Sequence, residues 1–194
     1  MTAAAHPELR AGRTYRTRDL ARWGRNPARL ARRLVREGRL REVTHGLYYT
    51  PVPSKFGPAP VADDVLLRGF LDGEPFLISG PPRWNALGLG ATAMFASTLV
   101  YNTLRTGNFT LAGRTFVLRR VYFPEALTPE WFVVDLLKHH DMAGVALSEL
   151  RTNLVATLRL GRWDLERLRE MAATYGTKAI AALIEECIEE ARPT

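Results

Sequence analysis

Arg29, Arg32, Arg33 and Arg36 stand at offsets of three, four and seven residues, the spacing that makes side chains neighbours on one helix face. Four like charges on one face repel one another, so the arrangement favours a polyanionic partner. A guanidinium forks onto phosphate oxygens, or onto the O6 and N7 acceptors of guanine. The chemistry on offer is nucleic-acid recognition rather than bond breaking. Local signals bound the helix that would carry these groups. Asn26 is the expected N-cap and Pro27 the first helical residue, where a missing N–H costs nothing. Gly38 follows Glu37 as a stop. Leu30, Leu34, Ala31 and Val35 supply the opposite, apolar face.

The elements around this helix must aim it. Thr17 is the expected cap of a shorter helix, Arg18–Trp23, with Leu20 and Trp23 inward and Gly24 at its end. After Gly38, residues 39–44 and 47–50 alternate as strands joined at His45-Gly46, a hairpin signal. Helix, turn, helix and hairpin over Thr14–Pro51 form a winged helix-turn-helix pattern, whose second helix enters the major groove of DNA. Residues early in that helix lie deepest. Asn26 and Arg29 are the first candidates for base readout and Arg25 and Arg33 the next, with Arg32 and Arg36 completing the basic face. Thr14, Arg16, Thr17 and Arg18, around the start of the preceding helix, suit phosphate contacts because that N-terminus offers free amides. Arg41 and His45 suit a contact of the wing with the minor groove or backbone; Arg39 is a further basic residue of the wing. A first helix over Ala3–Ala11 would complete a three-helix core, although His6-Pro7 and Gly12 interrupt it.

Charge is concentrated in the same stretch. Residues 1–48 hold twelve arginines against four acids, a net of +8; the 194-residue chain is +7 in all, so the remainder carries −1. The 24 Arg against three Lys fit a GC-rich genome, so the placement of Arg is informative and its choice over Lys is not. A hydrophobic fraction of 46% suffices for a packed core. A single cysteine, Cys187, excludes an internal disulfide and a cysteine-rich zinc site. No signal peptide and no apolar run of membrane-spanning length are read, so a cytoplasmic protein is expected.

Pro51, Pro53, Gly57, Pro58 and Pro60 mark a linker, and the domain boundary is placed near residue 55: a DNA-binding domain over 1–55 and an α+β domain over 56–194. In the second domain the pattern predicts a helix over Val61–Leu71, a strand over Phe76–Ile78, a helical turn over Pro81–Leu87 and strands over Ser97–Thr103, Asn108–Ala112 and Arg114–Phe123. Helices follow over Pro129–His140, Leu147–Leu160, Asp164–Tyr175 and Thr177–Ala191. The fold class is α+β: a winged module, then a small antiparallel sheet with a helical end.

Other chemistry is weaker. Gly88-Leu89-Gly90-Ala91-Thr92-Ala93 fits a dinucleotide pattern, but no strand precedes it and no acid occurs between Glu74 and Glu125; it reads as a surface loop. His139-His140-Asp141 is the one dense titratable cluster. Adjacent helical histidines point about 100° apart, and the position at a helix C-terminus suits the dipole. Ser79 lacks the G-x-S-x-G frame. No nucleophile–base–orienter set emerges, so no enzyme, cofactor or metal is expected.

Three segments carry a resemblance. LVREGRLREVTHGLYYTP (34–51), FLISGPPRWNALGLGAT (76–92) and WFVVDLLKH (131–139) resemble motifs of AbiEi-family antitoxins of type IV toxin–antitoxin systems, related to phage abortive infection. The second segment departs from the family pattern at Gly90-Ala91-Thr92, and the third at Phe132-Val133-Val134. The resemblance implies a repressor that binds inverted repeats of double-stranded DNA in its own promoter; a single recognition helix per chain then points to a homodimer on such a repeat. It further implies functional pairing with a nucleotidyltransferase-like toxin, without a stable complex, through the C-terminal domain. The residues themselves leave two other readings open. One is a ligand-sensing repressor with Trp84, Tyr101, Tyr122 and Trp131 as pocket walls. The other is a nucleic-acid-directed enzyme docked by its basic module, with Asp135 and Asp141 as paired acids at a metal.

Overall fold

The computed structural model describes residues 7–55, 57–92, 94 and 97–192. It is a mixed α+β chain with two small sheets and seven α-helices among those residues. The chain divides into two compact units, the first reaching to Phe76 and including Asn102–Leu118, the second comprising Leu77–Tyr101 and the residues from Arg119 on. The division does not fall at the Pro-rich stretch near residue 55; residues 57–76 group with the elements before them.

The first unit opens with β1 (Thr14–Arg16), a 3-10 helix (Thr17–Trp23), α1 (Pro27–Arg36), β2 (Arg41–Thr44) and β3 (Leu47–Tyr49). β3 lies between β1 and β2, antiparallel to both, with Tyr15 opposite Tyr48 and Glu42 opposite Tyr48 on the other side. α1 begins as its sequence dictates: Asn26 Oδ1 accepts from Arg29 N at 2.9 Å, and Pro27 occupies the first turn. Gly38 adopts φ 69°, and the amides of Arg39 and Leu40 both reach Leu34 O, which closes the helix end. Leu30, Ala31 and Leu34 point into a core with Tyr15, Leu20 and Leu40, against which Leu9, Trp23, Val35 and Tyr48 pack. Each fully buried Leu contributes about 2 kcal/mol relative to exposure, so this apolar face, rather than intrinsic propensity, holds a ten-residue helix whose other face is arginine.

Three expectations change here. The helix after Thr14 is a 3-10 helix, and its N-cap is Arg16, not Thr17. Asp19 Oδ2 accepts from Arg16 N at 2.7 Å, while Thr17 N donates to Gly46 O at 2.9 Å. The latter bond ties the hairpin turn to the helix start. Thr14–Arg16 is a strand, set by pairing with β3 rather than by local pattern. Finally, Pro7–Ala11 contains no helix; the rest of the expected first helix, Ala3–His6, lies outside the described residues. α2 (Asp63–Phe70) packs on β1 instead. A Cβ at Gly69 would collide with the Thr14 side chain, so glycine is required for this approach.

Four strands, β4 (Phe76–Ser79), β5 (Thr98–Asn102), β6 (Gly107–Leu111) and β7 (Arg114–Arg120), form the second sheet in the order β4-β5-β7-β6. β6 and β7 make a hairpin turning at Ala112-Gly113, both with positive φ (48° and 79°). Ala112 N donates to Val43 O of β2 at 2.9 Å.

The second unit contains α3 (Pro81–Asn85), α4 (Pro129–Lys138), α5 (Leu147–Arg159), α6 (Leu165–Tyr175) and α7 (Lys178–Ala191). Thr128, Asp164 and Thr177 cap α4, α6 and α7 through their side chains. Glu130 to Leu137 of α4 are all buried, so α4 is an interior helix rather than an amphipathic one. α6 packs on it, and α7 packs on α5 and α6. Among the described residues no helix is long and apolar enough to cross a membrane.

Candidate nucleic-acid interface

α1 and the β2–β3 hairpin enclose a groove of about 900 Å3. From α1 come Ala28, Arg29, Arg32, Val35 and Arg36; from the hairpin come Glu42, His45, Gly46 and Tyr48; Thr17 closes the end between them. The helical spacing that puts Arg29, Arg32 and Arg36 side by side is what aims them into one concavity. Among the described residues no carboxylate lies within ion-pair distance of these three guanidinium groups. Glu42 is the acid on the groove wall. Three exposed guanidinium groups against one carboxylate leave a positive concavity, and its donors can take phosphate oxygens in charge-assisted hydrogen bonds. His45 sits at the hairpin turn, where Gly46 has φ 76°.

The remaining sequence-derived candidates divide. Arg25, Asn26 and Arg41 are exposed and outside the groove lining. Asn26 already spends one acceptor position of Oδ1 on capping α1, which limits the bidentate pairing an amide makes with adenine. Arg33 faces Glu37 one turn on, Nε to Oε1 at 3.6 Å. Thr14 is half-buried against Gly69. Arg16 is a structural residue: Nη2 donates to Gly69 O at 3.0 Å and to Phe70 O at 2.9 Å, capping the end of α2, and Nε lies 3.3 Å from Asp72 Oδ1. Arg18 is the exposed member, hydrogen-bonded through Nη2 to Asp72. The backbone amides of Arg16 and Thr17 are consumed by Asp19 and Gly46, so neither is available to a phosphate. Arg39 donates to Pro7 O at 2.6 Å and holds the amino-terminal segment rather than facing the groove.

Sequence reasoning missed Asp72. It follows α2 in a left-handed conformation, φ 60°. Hydrogen bonding from Arg18 holds its carboxyl below the ordinary range, with Arg16 adding to the effect against a smaller burial penalty.

The second unit holds a buried polar cluster. Asp135 is 3% exposed. Ser79 Oγ donates to its Oδ2 at 2.7 Å, Trp84 Nε1 to Oδ2 at 2.8 Å and Tyr101 Oη to Oδ1 at 2.8 Å; His139 Nδ1 lies 3.2 Å from Oδ1. Burial opposes ionisation of Asp135, but hydrogen bonds from His139, Ser79 and Trp84 outweigh it and leave its carboxyl below the ordinary range. Burial likewise opposes a charged His139, and its bonds to Asp135 outweigh that and raise it. Burial and the Asp135 charge push the Tyr101 hydroxyl up, so it stays protonated and donates to Asp135. Ser79 gives its proton to Asp135 and not to the imidazole, so the three do not form a relay that would activate the serine. One signal in the sequence pointed here: an Asp amid the apolar run WFVVDLL must be buried, and a buried carboxylate needs partners.

This cluster separates the histidine pair. His139 faces Asp135 and stacks on Trp84 at 5.9 Å, whereas His140 lies 3.3 Å from Asp141, which is 93% exposed. Asp135 and Asp141 therefore do not converge. Trp84, Tyr101 and Trp131 are buried, with Tyr101 against Trp131 at 6.1 Å and Trp131 against Tyr175 at 6.5 Å, while Tyr122 is 87% exposed; the four do not line one pocket. Residues 87–91 are not a surface loop: Leu87, Leu89 and Ala91 are buried, and Leu89 O accepts from Asn153 Nδ2 at 3.1 Å. Ala93 of that motif lies outside the described residues.

No protein-family model matches the chain, and no curated protein matches it. Among solved structures it is similar to the crystal structure of the RV2827C protein from Mycobacterium tuberculosis, with a TM-score of 0.56 and 17% identity, covering 92% of this chain and 72% of the other. At that identity the likeness carries the α+β fold alone.

Proposed function

We propose that this chain is a winged helix-turn-helix repressor that binds double-stranded DNA in its own promoter and acts as the antitoxin of a type IV toxin–antitoxin pair. The observation that carries the DNA-binding part is the groove in which Arg29, Arg32 and Arg36 face His45 with no ion-pair partner among the described residues. Two features add support. The order strand, helix, helix, hairpin, with β1 paired to β3, is the order of a winged module. The groove between a recognition helix and a wing is where a DNA backbone runs when the helix is in the major groove. α1 then reads bases through Arg29, near its exposed start, while Arg32 and Arg36 hold the phosphates that pass between helix and wing. The antitoxin part rests on the resemblance of residues 34–51, 76–92 and 131–139 to AbiEi-family motifs, and it assigns the toxin-directed role to the part beyond residue 55. Such a protein works in the cytoplasm as a pair of copies on an inverted repeat.

The test is a footprint on the DNA upstream of the gene. Two protected half-sites, about one helical turn or a multiple of it apart, are expected. Absence of protection at moderate salt, with the folded protein in excess, contradicts the reading.

A further inference from the structure

Arg18 and Arg16 share one carboxylate, and they hold it differently. Arg16 is anchored by two main-chain carbonyls, Gly69 O at 3.0 Å and Phe70 O at 2.9 Å, and approaches Asp72 with Nε at 3.3 Å. Among the described residues Arg18 has no such anchor. Its side chain is 64% exposed, its carboxylate neighbours among the described residues are Asp72 and, at 4.0 Å, Asp19, and the Asp72 side chain is itself 46% exposed. An exposed ion pair of this kind is weak, because water and salt screen both partners. It breaks readily when a better acceptor arrives. Arg18 follows Thr17, which closes the groove between α1 and the hairpin, while its guanidinium is turned to Asp72, outside that groove's lining.

We propose that Asp72 is an internal stand-in for a DNA phosphate: it holds the Arg18 guanidinium in the unbound protein, and a backbone phosphodiester takes that guanidinium over in the complex. This rests on the DNA-binding reading above and concerns its regulation. The exchange leaves no orphan charge. When Arg18 leaves, Asp72 keeps Arg16, which cannot follow because its Nη2 is fixed by Gly69 and Phe70. Two consequences follow. Arg18 contributes less to affinity than a free arginine at the same place, because part of its attraction for phosphate is offset by the lost Asp72 contact. The contact also weakens non-specific binding, since a phosphate must displace a carboxylate before Arg18 engages.

The test is a double-mutant cycle in fluorescence anisotropy with a promoter duplex and a random duplex, using the full chain. Asp72→Asn keeps the shape and tolerates the left-handed backbone. It should tighten binding about two- to fivefold, the range set by an exposed ion pair. Glu74→Gln, an equal charge change two residues away, is the control and should tighten binding less. In an Arg18→Ala background the effect of Asp72→Asn should shrink to that of the control. Looser binding by Asp72→Asn would make Asp72 a buttress that presents Arg18, and overturns the proposal. So does an effect equal to that of Glu74→Gln, or one that persists without Arg18. If neither the wild-type chain nor Asp72→Asn binds either duplex while both are folded by circular dichroism, the DNA-binding reading fails and the proposal with it; if the wild type binds and Asp72→Asn gains nothing, the proposal alone fails.

Discussion

Arg29 and Arg33 lie one turn apart on the same exposed face of α1, yet they stand in different surroundings. Arg29 lines the groove with Arg32 and Arg36, whereas Arg33 turns toward Glu37. The acid four residues after Arg33 is legible in the sequence, but the concavity around Arg29 is not, because its other wall comes from the hairpin. Arg29→Ala should therefore relax sequence preference by about 1–3 kcal/mol, the value of a bidentate base contact, and anisotropy with matched and mismatched duplexes reads that loss. At Asp135 the residue-scale consequence is a pH dependence. His139 is raised above its ordinary 6.5, so the stability it contributes is fully present below that value and lost as pH rises through the raised one. Asp135 is lowered from 3.8, so its contribution is present above that value and lost as pH falls through the lowered one. The urea midpoint should fall on the alkaline side in the wild type, and His139→Gln should flatten that limb. An alkaline limb unchanged in His139→Gln would detach this stability from the pair.

At the scale of elements, Gly69 decides how α2 meets β1. Alanine in a helix interior is ordinarily about 1 kcal/mol better than glycine. Here its Cβ collides with the Thr14 side chain, and Gly69→Ala should instead lower stability by about 1–3 kcal/mol, as overpacking does. Chemical denaturation gives the sign, and a stabilised variant would refute the packing. α4, α6 and α7 are legible as helices over nearly the observed bounds, and α1 is legible with its cap because Asn26-Pro27 acts within one turn. The hairpin at His45-Gly46 was legible for the same reason. β1 was not: a three-residue strand has no period of its own and exists through pairing with β3. The 3-10 form of Thr17–Trp23 was also hidden, since its start is fixed by Gly46 in the hairpin turn. Asp72 lies 54 residues from Arg18, and Ser79 and Tyr101 lie 56 and 34 residues from Asp135, beyond any local pattern, whereas His139 is the partner of Asp135 one turn on.

At the scale of the whole molecule, net charge is placed rather than spread. The +8 of residues 1–48 sits in a chain whose remainder is −1, which suits one polyanion-binding face joined to a part with other work. Within that face the structure distinguishes arginines that pack the protein, Arg16 and Arg39, from those directed into the groove. The central claim is that Arg29, Arg32 and Arg36 contact DNA phosphates and bases, and the salt dependence of affinity measures it most directly. Each phosphate neutralised contributes a slope of about −0.9 in log K against log salt. The Arg29→Ala, Arg32→Ala, Arg36→Ala triple variant should bind its promoter duplex more weakly and with a slope shallower by about two to three units. A triple variant that keeps the wild-type slope and affinity would contradict the account.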